Sequence, residues 1–219
     1  MSKVVKNYVV LIQQAVNEAA KRRADALGYK SMWRPEHLQA ELDKINAALE
    51  AQVAEYKGKA AEAVEAARAQ LEVSFYQAAQ AAGPQTPGEW QEAAARASFV
   101  AADIEGLDGA GILDYYKLAS SAGDKLGAWA IQRAGLRKLD ALAHDADDLM
   151  RAAYARQAGD ELHRLAYGEA YTQRKTALAE LVNLEGELKR PVTPGEQAGY
   201  RKHIADAMGV KAELVPLPE

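Results

Sequence analysis

The sequence predicts an all-α protein. It reads as an elongated multi-helix bundle with long, Ala-rich, coiled-coil-like helices and an extended C-terminal tail. Three observations carry this. Alanine, the strongest helix former, makes up about a fifth of the 219 residues. Aromatics are only 7% and Val and Ile are sparse, which disfavours a β-rich fold. Apolar residues recur at spacings of three and four over long stretches that contain no Pro.

The first helix is expected from about Ser2 to Leu27. Val5, Val9, Ile12, Val16 and Ala19 mark one face. Ser2 is its candidate N-cap and Gly28 its stop. Val4, Tyr8 and Leu11 lie on the opposite face, so the front half is expected to be covered on more than one side. A short connector leads to Pro35, which suits a first helical turn. From there to Ala82 only Gly58 weakens the pattern, and a helix of that length would measure roughly 70 Å. Its seam begins Leu38, Leu42, Ile45, Leu49, Val53, Tyr56. Consecutive steps of four after Leu49 form a stutter that locally unwinds a supercoil.

Gly83 to Gly88 is the clearest turn in the chain. Thr86, Pro87 and Glu89 form a capping box that opens a third helix, ending near Ile104. The same Thr-Pro-Gly-Glu letters recur at Thr193–Glu196. Gly106 to Gly111 is read as a corner that needs positive φ, followed by a short helix from Ile112 to Ser121. Residues 124–189 read as helix again. Gly159-Asp160 is the best place to divide them, with Gly135 and Gly168 as weaker candidates. A last helix runs from Pro194 to Met208 and stops at Gly209. The domain organisation is thus one bundle over 1–209, with an internal division near 83–88 or 106–111, and a tail over 210–219.

Composition excludes several functions. The chain has no Cys, so disulfides, thiolate catalysis and cysteine zinc sites are out. Its net charge is −4, so bulk charge does not drive binding to nucleic acid or anionic lipid. No signal peptide or membrane span is read, which suggests a cytoplasmic protein or part of a virus particle. Asp140, His144 and Asp148 share a helix face, with Asp147 beside them. Asp160 and His163 have the acid-x-x-His spacing of di-metal bundles, but His203 and Asp206 reverse the order a second pair would need. The glycine loop lacks the Gly-Lys-Ser/Thr ending of a phosphate loop, and no nucleophile motif is present. No cofactor or metal is expected.

Other features point to contacts between chains. Ser120, Gly123, Gly127, Ala130 and Ala134 would form a smooth strip on a continuous helix, a place for another backbone, whereas a new helix starting at Asp124 would dissolve it. Leu214, Val215 and Leu217 make an apolar tail expected to dock, with a slight lean towards a neighbouring chain. Residues 1–34 carry seven basic and two acidic side chains. Lys21, Arg22 and Arg23 are therefore candidate phosphate contacts, although a helix C-terminus also favours cations. The leading reading is a non-enzymatic structural or assembly protein. It would act through helix faces and tail in a homo-oligomer or larger complex, in the manner of phage connector, adaptor or scaffold components. The alternative is a nucleic-acid-associated or regulatory adaptor that uses the basic N-terminal region. A helical di-metal carboxylate enzyme is a third class.

Overall fold

The computed structural model describes residues 2–144, 148–209 and 211–218. Among them are eight α-helices and no strand, and helix, a short 3-10 turn included, accounts for 86% of these described residues. The helices are α1 (Ser2–Gly28), α2 (Pro35–Ala82), α3 (Pro87–Glu105), α4 (Gly109–Ser121), α5 (Lys125–Ala143), α6 (Leu149–Tyr167), α7 (Glu169–Lys189) and α8 (Pro194–Met208). Packing groups them into two units, Met1–Ala69 with Ala177–Glu219, and Gln70–Thr176. The boundaries fall inside α2 and α7. The turns at 83–88 and 106–111 both lie within the second unit.

The first unit contains α1, the first part of α2, the second part of α7, and α8. α1 buries Val5, Ile12, Ala19 and Ala26, one every seven residues, with Ala15 between them. A repeat of seven keeps one stripe facing a neighbour. The α2 seam buries Leu38, Ile45, Leu49 and Val53 and continues to Ala60, Val64 and Ala67, while Leu42 and Tyr56 are half-buried. Polar ties add register. Lys6 pairs with Glu180, and Arg68 meets Glu185 at 2.7 Å. Lys57 reaches both Glu196 at 2.6 Å and the Arg190 carbonyl at 2.9 Å. The capping box that opens α8 is buried, with Thr193 only 2% exposed. Burial pushes the Glu196 carboxyl up, but Lys57 and the N–H groups of Val192 and Thr193 outweigh it and hold the pKa below its usual value.

The second unit packs α3 against α5, α5 against α6, and α4 against both α5 and α6. Ile104, Ile112, Ile131, Leu139 and Leu162 form the centre of its core. Lys138 donates to the carbonyls of Ile104, Glu105 and Leu107 at 2.8, 2.6 and 2.6 Å. A cation there satisfies the carbonyls that a helix end leaves without partners.

Several expectations change. The side chain of Ser2, the candidate cap of α1, lies outside the described residues. Val4 is 52% exposed and Leu11 is exposed as well, while Tyr8 is half-buried, so the described chain covers that face of α1 only in part. α4 begins at Gly109, three residues early, because Asp108 caps it through Gly111 N–H. Gly106, Gly109 and Gly111 do not have positive φ. Gly109 is needed for packing instead, since a Cβ there would lie 2.8 Å from the Ala158 Cβ.

The strip from Ser120 to Ala134 is interrupted. α4 stops at Ser121, Gly123 turns at φ 74°, and Asp124 caps a new helix. Ala130 and Ala134 stay together on α5. Gly127 makes room for the Asp124 cap, whose carboxylate oxygen would lie 2.1 Å from a Cβ there. Gly159 divides nothing, because it sits inside α6 beside Leu139. The breaks instead fall between Ala143 and Leu149 and at Gly168. The tail is not fully extended, since Ala212–Leu214 form a 3-10 turn that packs against α8. Val215 is buried by its own chain and Leu217 is half-buried, leaving Leu214 exposed. Val210 and Glu219 lie outside the described residues.

Candidate functional site: the corner between α1 and α2

Residues 29–34 join α1 to α2 in a tight, hydrogen-bonded turn. Met32 and Trp33 both donate their N–H to the Tyr29 carbonyl, at 2.9 and 3.1 Å. The turn places three large apolar side chains side by side at the surface. Tyr29 is 51% exposed, Met32 75% and Trp33 39%. Leu27, on the last turn of α1, is also exposed. The Tyr29 and Trp33 rings stack, with centroids 6.0 Å apart and planes inclined by 17°. A recess of about 360 Å³ opens beside them, running over Ala26, Ile45 and Ala48, with Arg22, Asp25, Glu41 and Lys44 at its rim. The rim charges are balanced. Arg22 pairs with Glu18 on its own helix, and Lys44 lies 3.9 Å from Glu41. The corner therefore offers an apolar floor, two aromatic walls and a neutral, polar edge.

The candidate phosphate contacts border this corner without forming a common surface. Lys21 and Arg22 are exposed. Arg23 is half-buried, and its Nε and Nη2 are enclosed without a hydrogen-bond partner among the described residues. Three consecutive residues on a helix fan over ~200°, so they do not face one phosphate together.

The acid–histidine spacings are used inside the second unit. His144 Nδ1 lies 2.8 Å from the Asp140 carbonyl and its ring is exposed. Asp148 caps α6 through Arg151 N–H. Asp147 lies outside the described residues. Asp160 accepts from the Tyr171 hydroxyl at 2.5 Å and pairs with Lys175. Burial pushes Asp160 up, yet Lys175 and the Tyr171 hydroxyl hold it below the ordinary value. Burial, helped by Asp160, drives the Tyr171 phenol up to about 12.

His163 packs into an aromatic cluster. It stacks on Tyr171 at 5.1 Å and on Tyr167 at 5.8 Å, with Phe75 edge-on. Burial, with the nearby Arg174 cation, lowers its pKa. His203 and Asp206 are exposed on α8. Among the described residues, no group of three His, Asp or Glu side chains gathers in a way that would hold a metal.

The sequence reading treats residues 28–34 as a plain connector and names none of Tyr29, Met32 and Trp33. A signal was present. Three large apolar residues within five positions are out of place in a surface loop, where polar turn formers are usual. Comparison with protein-family models, curated proteins and solved structures finds no match to this chain. No helix among the described residues is long and apolar enough to cross a membrane.

Proposed function

We propose that the chain is a non-enzymatic structural or assembly protein that docks other protein chains at the α1–α2 corner. The observation that supports this is the exposed Leu27, Tyr29, Met32 and Trp33 group around a hydrogen-bonded turn. Aromatic residues and Met are enriched at protein interfaces, and a few buried aromatics dominate their binding energy. Covering each such side chain is worth about 1.5–3 kcal/mol relative to leaving it in water. The stacked rings and hydrogen-bonded turn reduce the ordering cost of binding. A neutral, apolar recess suits protein side chains better than phosphates. The reading extends to a repeated assembly of the kind formed by phage connectors and adaptors.

The test is absolute mass by light scattering after size exclusion, at high micromolar concentration and at two salt levels. The expected result is a mass above the 23.7 kDa of one chain. The double variant Met32→Ser/Trp33→Ser is expected to return it towards the monomer, with unchanged helix content. A wild-type protein that stays monomeric, or an oligomer indifferent to both substitutions, overturns the proposal. An oligomer that dissolves as salt rises would assign assembly to charge rather than to this corner.

A further inference from the structure

The second unit carries a separate surface whose features go beyond the α1–α2 corner. α3 and α5 lie against each other, and between them runs a groove of about 650 Å³. Its floor is made of small side chains, Ala97 and Ala101 from α3 and Ala130 and Ala134 from α5. Trp90 and Trp129 close one end, edge to face at 5.4 Å, with Trp90 half exposed. The face of α3 around the groove is nearly free of charge from Ala93 to Ala102, where Arg96 alone is ionised and is taken up by Glu92 and Asp124. The α5 wall is cationic. Arg133 lies over the Trp129 ring at 4.9 Å, and Arg137 follows it by one turn. Neither makes an ion pair among the described residues. Across from them, Glu105 supplies the acid at the far end. Residues 70–176 carry fifteen acidic and eleven basic side chains, so this wall is a positive stripe on an acidic unit.

We propose that the groove binds an acidic amphipathic helix from a partner protein. Alanine floors let a third helix approach closely, as ridges pack into grooves. The floor presents few hydrogen-bonding groups, which suits apolar side chains and not base edges. Arg133 and Arg137 are four residues apart, so they match two carboxylates four apart on one helix. Two unpaired arginines also fit planar, bidentate recognition of carboxylate. α3 rises about 22 Å from Trp90 to Glu105, which sets the occupant at about fifteen residues. This is the helix-in-groove mode of recognition, with charge fixing the register.

The test is calorimetric titration of the full chain with a synthetic peptide of about that length. Its Ala and Leu stripe follows spacings of three and four, and Glu pairs four apart line one flank. A control peptide carries Lys in place of Glu. The expected result is one-to-one binding of the Glu peptide, weakened by salt, and at least tenfold weaker for the control. Arg133→Glu/Arg137→Glu is expected to lower affinity at least tenfold. Ala101→Trp, at an exposed floor position, fills the groove and is expected to abolish binding. If the arginine variant fails to fold, Ala101→Trp decides alone. Equal affinity for both peptides, no heat beyond dilution, or binding that survives Ala101→Trp overturns the proposal. Preferential binding of an oligothymidylate that Ala101→Trp blocks also overturns it, and assigns the groove to single-stranded nucleic acid.

Discussion

Replacing Gly135 by Ala tests how tightly the second unit is packed. Gly135 lies on α5 where it crosses α4 and α6. A Cβ added there would fall 2.6 Å from Ile112 Cγ2 and 3.1 Å from Leu162 Cδ2. Ordinary carbon contacts lie near 3.5–4.0 Å, so the helices would have to separate by roughly 1 Å. Ile112 and Leu162 are fully buried and have no open side to move into. Overpacking of this kind costs about 1–3 kcal/mol. Alanine returns about 1 kcal/mol through its better helix propensity. The net expectation is a loss of up to about 2 kcal/mol, or up to roughly 1 M in the urea midpoint. Gly58→Ala on α2 is the matched control, because nothing lies within 4 Å of its Cβ. It is expected to gain about 0.5–1 kcal/mol. Urea unfolding followed by far-ultraviolet circular dichroism reads both. A Gly135→Ala protein with a midpoint as high as that of Gly58→Ala would refute the packing argument.

Further outcomes follow from the caps and the buried histidine. Thr193→Ala removes a cap that is almost wholly buried and is expected to cost about 1–2 kcal/mol, more than Thr86→Ala at the exposed box that opens α3. Equal losses in urea melts would show that burial does not matter to these caps. Asp124→Asn keeps the acceptor for Gly127 N–H but loses the charge facing Arg96, whereas Asp124→Ala loses both, so stability should fall in the order wild type, Asn, Ala. A melt ranking Asn with Ala would place the value of Asp124 in its charge alone. The His163 pKa is lowered in the folded chain, so its contribution to stability is present above the unfolded value of about 6.5 and is lost as pH falls through the folded value. His163→Phe should flatten that part of the stability profile, and an unchanged slope below about pH 6.5 would remove His163 as its source.

The sequence was legible where one signal has one local meaning. Thr-Pro-Gly-Glu at 86–89 and at 193–196 opens a helix both times, because every hydrogen bond of a capping box lies within four residues. The α2 seam is legible for a similar reason, since its period is the helix period itself. Gly209 stops α8 and Gly168 divides α6 from α7 as their pattern suggests, but Gly159 and Gly127 mislead. Gly159 has the sequence of a stop followed by a cap, yet its chain continues as helix and Asp160 binds Tyr171 and Lys175 instead. Gly127 looks like part of a smooth strip and serves the Asp124 cap. At Gly159 the deciding neighbours are remote in sequence, and at Gly127 the helix start at Asp124 takes the glycine for its own cap.

The site follows the same logic with a different consequence. Acids and cations drew attention in the sequence, and many of them are committed at helix ends. Asp108, Asp124 and Asp148 cap helices, and Lys138 closes the end of α3. The eight helices among the described residues have sixteen ends, each with backbone groups that need partners. Some large apolar side chains stay at the surface instead, among them Tyr29, Met32 and Trp33 at one corner and Trp90 beside the groove of the other unit. Exposing them costs the isolated chain solubility and helps no helix end. That contrast between charges used at helix ends and large apolar side chains kept at the surface is the physical ground for reading this protein through its surfaces.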